Sequence, residues 1–135
     1  MMTPTTLPAP PVTRPLRVLI ADDNQDAADS LRDLLQHTGH AAAVCHDGGA
    51  VVPLAETFRP DVCILDLWMP VATGWEAARR LREWAAGRPL LLIALTGLPD
   101  RDEQSREAGF DRHMLKSTNP REIVSCLAAY AARLA

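Results

Sequence analysis

A doubly wound parallel α/β sheet of five strands and five helices is the fold that this 135-residue sequence predicts, on three observations. Short apolar runs alternate with stretches of helical spacing, the connections between them are short, and four of the runs stop abruptly at a charged or hydroxyl-bearing residue. Alternation of this kind implies parallel strands joined by right-handed crossovers, with helices on both faces of the sheet. Hydrophobic residues make up 47% of the chain, enough for one compact domain with a real core.

Residues Met1 to Pro15 carry five prolines among threonines and small residues, and read as a disordered tail or linker ahead of a domain spanning 16–135. The first strand is Leu16 to Ala21, ending at Asp22-Asp23-Asn24. Gln25 to Thr38 then has apolar residues at Ala27, Ala28, Leu31, Leu34 and Leu35, the spacing of an amphipathic helix, and Gly39 ends it. A weaker strand, Ala41 to His46, is followed by the turn Asp47-Gly48-Gly49 and a helix over Ala50 to Phe58.

The third strand, Val62-Cys63-Ile64-Leu65, reads as buried on both faces and carries Asp66 at its C-terminal tip. Gly74 opens a helix through Ala86 with Trp75, Ala78, Leu81 and Ala85 on one stripe and Trp84 at its border. Leu90 to Leu95 is the most apolar strand and stops at Thr96-Gly97. Pro99 to Ala108 is helical but heavily charged, with few residues that could pack. Asp111 to Lys116 is the last strand, and Asn119-Pro120 supplies the N-cap and first residue of a final helix. There Ile123, Val124, Leu127, Ala128, Ala131 and Leu134 share one face.

Composition narrows the functional classes. A formal charge of -3 gives no basic surplus for nucleic acid. No apolar run approaches the roughly 20 residues of a membrane span. The N-terminus lacks the features of a signal peptide, so the expected location is the cytoplasm. Cys45, Cys63 and Cys126 show no metal-ligand spacing and read as reduced thiols, the first two in strands. Of the fourteen basic residues thirteen are arginine, and Lys116 is the single lysine.

In an open parallel sheet, ligands and chemistry collect outside the C-terminal ends of the strands. There the predicted fold gathers Asp22, Asp23, Asp66, Thr96 and Lys116. Taken singly, Thr96 reads as an ordinary strand end and Lys116 as a surface charge; each aspartate could be a cap. Together they supply what one reaction needs. Clustered carboxylates repel one another unless a cation binds, and hard oxygen ligands suit Mg²⁺. Phosphoryl transfer requires an in-line nucleophile and neutralisation of the phosphoryl oxygens. Asp66 is the candidate nucleophile, with Mg²⁺, Lys116 and Thr96 each taking one oxygen.

With these residues in place, the chain from about Leu16 to Leu134 resembles a response-regulator receiver domain of two-component signalling. The motifs are Val18-Leu-Ile-Ala-Asp-Asp-Asn24, Pro60-Asp-Val-Cys-Ile-Leu-Asp-Leu-Trp-Met-Pro70 with Gly74, Leu95-Thr-Gly97, and Gly109-Phe-Asp-Arg-His-Met-Leu-Lys116. The resemblance implies a flavodoxin-like fold of strand order 2-1-3-4-5, and phosphoryl transfer from a partner's phosphohistidine to Asp66. It implies Mg²⁺ held by Asp23, Asp66 and the main-chain carbonyl of Trp68, and through water by Asp22. By the same mapping Thr96 and Lys116 contact the phosphoryl group, and His113 takes the switch position. Two positions depart from the family's habit: Ser117 follows Lys116 where proline, often after a cis bond, is usual, and His113 stands where tyrosine or phenylalanine is common.

The resulting expectation is a phosphorylation-driven switch, a signalling phosphoprotein that turns over no separate substrate. A phosphoryl group at Asp66 would draw in Thr96, His113 would follow, and the face formed by the fourth helix, last strand and last helix would change. Partners would be a sensor histidine kinase or a histidine phosphotransfer protein, an effector reached by contact, and a second copy through that same face. No output domain follows the last helix within this sequence, and the proline-rich start reads as a tail or as the remnant of a hybrid-kinase linker. Trp68 would overhang Asp66 and slow the water that removes the phosphoryl group. The rival expectations are a phosphorylation-independent docking module and an aspartate-dependent phosphatase of the haloacid-dehalogenase type. The second lacks its further acid, since Trp68 stands two residues after Asp66. A flavodoxin-like cofactor binder is opposed by the acidic first loop, which would repel a phosphate.

Overall fold

Parity along the three central strands determines the architecture of the computed structural model, which describes residues 14–97 and 102–134. In β1 (Arg17–Ala21), β3 (Val62–Asp66) and β4 (Leu91–Thr96), successive side chains go to opposite faces. Val18, Ile20, Val62, Ile64, Leu91 and Ile93 meet one set of helices, while Leu19, Ala21, Cys63, Leu65, Leu92 and Ala94 meet the other. Because both sets are apolar, both faces must be covered.

The first face is covered by α1 (Gln25–His37) through Ala28 and Leu35, and by α5 (Pro120–Leu134) through Ile123, Leu127 and Ala131. The second is covered by α2 (Val51–Phe58), α3 (Gly74–Ala85) and α4 (Asp102–Ala108), with Trp75, Ala78 and Leu81 of α3 at its centre. Fully buried leucine and isoleucine side chains, each worth about 1.5–3 kcal/mol, occupy both layers. The sheet is completed by β2 (Ala41–Cys45) and β5 (Arg112–Leu115) at its edges, all strands parallel in the order β2-β1-β3-β4-β5.

Helix starts follow local chemistry. The Asn24 side chain accepts from Ala27 N at 3.0 Å and caps α1. Thr73 and Glu76 form a reciprocal capping box at α3, and Asn119 accepts from Arg121 N at 3.0 Å at the head of α5. A 3-10 turn over Gly48–Ala50, capped by the Asp47 side chain, precedes α2, so the helix expected from Ala50 begins one residue later.

Other expectations are refined. Thr96 is the last residue of β4 rather than the residue after it. Ala27 and Ala128 face solvent; each lies at the border of its stripe, where a single methyl group gives little drive for burial. The α4 helix, expected to have little to pack, is anchored by the buried Ser105, whose Oγ accepts from Trp75 Nε1 at 3.2 Å, and by buried Ala108. The proline-rich tail, up to residue 13, and the expected start of the fourth helix at Pro99 lie outside the described residues. Cys45, Cys63 and Cys126 are free thiols, and burial raises the Cys45 pKa to about 11, with the Asp47 charge adding to the effect.

His40 is a structural residue with no catalytic neighbour. It is buried just before β2, and its Nδ1 accepts from the backbone N–H of fully buried Leu16 at 3.0 Å, which ties the entry of β1 to that of β2. Burial lowers its pKa below the ordinary 6.5. The native state therefore favours neutral His40, and stability is lost as pH falls below 6.5 towards the native value, where only the unfolded chain binds the proton. His40→Leu leaves the Leu16 N–H unpaired and is expected to cost about 1–3 kcal/mol in urea unfolding. His40→Asn keeps an acceptor without a proton to bind, and its stability is expected to fall less between pH 7 and pH 5 than that of the parent.

Candidate functional site

Strand register assembles the site. Ala21 pairs with Leu65, so the next residues, Asp22 and Asp66, leave the sheet side by side. Asp66 pairs in turn with Leu95, one residue short of Thr96, and Thr96 pairs with Leu115, one residue short of Lys116. The ladder continues past the last strand, where Lys116 N donates to the Thr96 carbonyl at 2.7 Å. Four separate segments thus end at one edge.

The carboxylate oxygens of Asp22, Asp23 and Asp66 lie within 4.8 Å of one another, with Asp22 and Asp66 buried and Asp23 exposed. Lys116 Nζ bridges the two buried acids, 3.0 Å from Asp22 Oδ2 and 3.2 Å from Asp66 Oδ2. The other oxygen of Asp66 accepts from Trp68 N at 3.3 Å, and that of Asp22 accepts from Asn24 N at 3.0 Å. Burial raises the Asp66 pKa above the ordinary carboxylate value; the Trp68 N–H and the Lys116 charge oppose this, and the Asp22 charge reinforces it. For Lys116, burial acts downward, but the hydrogen bond that it donates to Asp22 and the charges of Asp66 and Asp22 outweigh it, leaving the ammonium above its ordinary pKa.

Three carboxylates against one ammonium leave a surplus of negative charge in a half-buried site. The donors are all oxygen, which suits a hard cation such as Mg²⁺ and argues against zinc or copper. The residues therefore fit the metal that the chemistry calls for.

The remaining candidates surround this cluster. Thr96 is buried and has the parity of Leu92 and Ala94, the α2–α4 side of the sheet. His113 pairs with Ala94 on the adjacent strand, half-buried, and borders a cavity of ≈ 270 Å³ between α4 and β5 with Ser105, Arg106 and Phe110. Trp68 is 49% exposed, and its ring meets the buried Trp75 edge-on at 5.0 Å between centroids. The described residues contain no cis peptide bond, so Lys116–Ser117 is trans, and Lys116 reaches both acids by this path. A second cavity of ≈ 200 Å³ runs from Asp66 and Lys116 between α1 and α5, lined by Leu31, Leu34 and Ile123.

One support, His46, escapes sequence reasoning, and Gly74, read there as a helix start within a family motif, gains a packing role. His46 Nδ1 lies 3.1 Å from the Asp22 carbonyl, bracing the first acidic loop from the neighbouring strand. At Gly74 any side chain would strike the Asp66 carbonyl, and Gly74 N donates to Leu67 O at 2.9 Å, so the head of α3 sits directly on the tip of β3. The signal for Gly74 is its place at a predicted helix start, where glycine has no propensity reason to be. Nothing in the local sequence marks His46.

Residues 18–128 match the family described as the response regulator receiver domain. Among curated proteins, the response regulator MprA of Mycobacterium avium is 28% identical over 118 residues, which cover 87% of this chain and 52% of that protein. MprA of Mycolicibacterium vanbaalenii is 29% identical over 119 residues, with 88% and 52% covered. The chain thus spans about half the length of the curated relatives it matches. Among solved structures, a two-component response regulator of the LuxR family from Aurantimonas is similar at a TM-score of 0.79 and 26% identity, covering 88% of this chain and 86% of that one. A CheY-like receiver domain protein from Methanospirillum hungatei has the same fold at a TM-score of 0.81 and 22% identity, with 89% and 96% covered. With its strand order, its acidic strand tips and this match across most of its length, the chain belongs to the response regulator receiver domain family of two-component signalling.

Proposed function

We propose that Asp66 accepts a phosphoryl group from the phosphohistidine of a sensor kinase or histidine phosphotransfer protein, and that the phosphorylated domain signals through its α4-β5-α5 face. The observation that carries this reading is the buried Asp66 carboxylate at a strand tip, with Lys116 at 3.2 Å and the oxygens of Asp22 and Asp23 within 4.8 Å. In the transfer, an Asp66 oxygen attacks phosphorus, an O–P bond forms, the N–P bond to the donor breaks, and the imidazole leaves with the bond's electron pair. Lys116 exchanges its contact with Asp66 for a phosphoryl oxygen, and the Thr96 hydroxyl donates to another. Asp23, Asp66 and the Trp68 carbonyl would hold Mg²⁺, with Asp22 acting through water. When bound, the ion neutralises charge that builds up on the phosphoryl oxygens.

The switch would act through neighbours of Thr96. The phosphoryl group leaves about 1.5 to 2 negative charges where the Asp66 carboxylate carried one, and places them further out on three oxygens; Thr96 turns to it, and His113 moves towards the space released on the adjacent strand. The short α4 then shifts its contact with Trp75. That face would meet the effector protein, or a second copy of the chain. The reaction consumes one phosphoryl group per Asp66 and turns over no separate substrate. A cytoplasmic setting agrees with this role, and no described helix is long and apolar enough to cross a membrane.

Incubation with acetyl phosphate and Mg²⁺, followed by intact-mass measurement, is expected to add one phosphoryl group to the parent and none to Asp66→Ala, and to need Mg²⁺. A parent that gains nothing from acetyl phosphate or from a phosphorylated histidine donor would overturn the reading and leave a docking module. Trp68→Ala is expected to shorten the lifetime of the aspartyl phosphate several-fold by opening a path for water. An unchanged dephosphorylation rate would show that the indole does not shield the site.

A further inference from the structure

The loop between β3 and α3 contains a backbone conformation that its sequence does not favour. Val71, β-branched and 83% exposed, has φ 74, in the left-handed region that such residues avoid. Ala72 N donates to the Pro70 carbonyl at 2.8 Å across it, which closes a γ-turn of the uncommon, strained kind. The Val71 side chain gains little from burial, so something else must hold the turn.

The holding contact comes from the 3-10 turn before α2. Gly48 N donates to the same Pro70 carbonyl at 3.1 Å, and a methyl group at Gly48 would strike the Ala72 carbonyl. At Gly49 a methyl group would lie 2.7 Å from Val71 Cγ1. Neither glycine has a positive φ, so what both positions require is the absence of a side chain. The loop they press on is short and fixed at each end, by β3 at Asp66 and by the Thr73 capping box of α3. Trp68, whose N–H holds Asp66 Oδ1 at 3.3 Å, lies between Asp66 and the clamped turn.

We propose that the Gly48-Gly49 turn is a positioning element for the phosphoacceptor site, clamping the β3–α3 loop and so setting where Trp68 presents its backbone N–H to Asp66 and its carbonyl to Mg²⁺. This rests on the reading of Asp66 as a Mg²⁺-dependent phosphoacceptor. Gly48→Ala meets backbone and endangers the fold, whereas the sharpest contact of Gly49→Ala, 2.7 Å to Val71 Cγ1, is one that Val71→Ala removes; in the double variant the Asp47 Oδ1 cap, at 3.2 Å, has to give by a few tenths of an ångström, and Val71 Cβ stands at an ordinary 3.5 Å.

The test is a Mg²⁺ titration of the full chain read by tryptophan fluorescence, with circular dichroism as a check on folding. Gly49→Ala is expected to bind Mg²⁺ about tenfold more weakly, the lower end of what outer supports of a metal site contribute. Val71→Ala is expected to bind as the parent does, and the double variant to recover the parent affinity. Unaltered affinity in Gly49→Ala, or a double variant that stays weak, overturns the proposal. Should Gly49→Ala also lose its fold, recovery of fold and affinity in the double variant supports the clamp and no recovery overturns it. A parent that shows no Mg²⁺ response removes the phosphoacceptor reading and the clamp together, which separates that failure from failure of the clamp alone.

Discussion

The ammonium of Lys116, 3.0 Å from Asp22 and 3.2 Å from Asp66, is the interaction on which the functional end of this molecule depends. Two buried carboxylates at adjacent strand tips repel each other and resist leaving water. One point charge on a flexible stem satisfies both and can still move. An arginine in its place would present a planar fork suited to a fixed bidentate pair, which agrees with the chain's only lysine standing here among thirteen arginines. With Asp23 added, the cluster retains a negative surplus, and that surplus suits it to hold a cation.

The sheet exists, in this sense, to bring those charges together. Parallel strands in register deliver Asp22 and Asp66 side by side, with Thr96 one step and Lys116 two steps further on, and the two apolar layers hold the register because a one-residue slip would reverse every side chain. The loops around the site are held less by burial than by single polar contacts: His46 on the Asp22 carbonyl, the Trp68 N–H on Asp66, Gly48 on the Pro70 carbonyl. Supports of that kind are stiff locally and easily rearranged, which suits the proposed role of binding a phosphoryl group and then reporting it. On the far side, α4 rests on the Trp75–Ser105 contact and a cavity separates it from β5, so the element with the fewest large apolar anchors lies next to the proposed switch residue His113.

How much of this was legible in the sequence follows from the range of each interaction. The strands and helices could be read because apolar periodicity is local, and Asp22, Asp23, Asp66, Thr96 and Lys116 could be placed because a strand tip is found by counting. The Ser117 departure left the path of Lys116 open, and the structure brings it to both acids along a trans backbone. Ala27 and Ala128 were misjudged because alanine at a stripe border scarcely prefers either side. His40, His46, Ser105 and the Gly48-Gly49 clamp were hidden for a different reason. Each acts on a partner 22 to 30 residues away in a different element, through a contact that no periodicity encodes.

The most direct test of the cation site is the urea unfolding midpoint of the parent against Mg²⁺ concentration at fixed ionic strength, beside Asp23→Ala. A site built from these carboxylates makes stability rise with Mg²⁺, by about 1.4 kcal/mol at ten times the dissociation constant, and Asp23→Ala flattens the rise. A midpoint that does not move with Mg²⁺ in the parent would contradict the account, because the negative surplus at the strand tips would then need no cation.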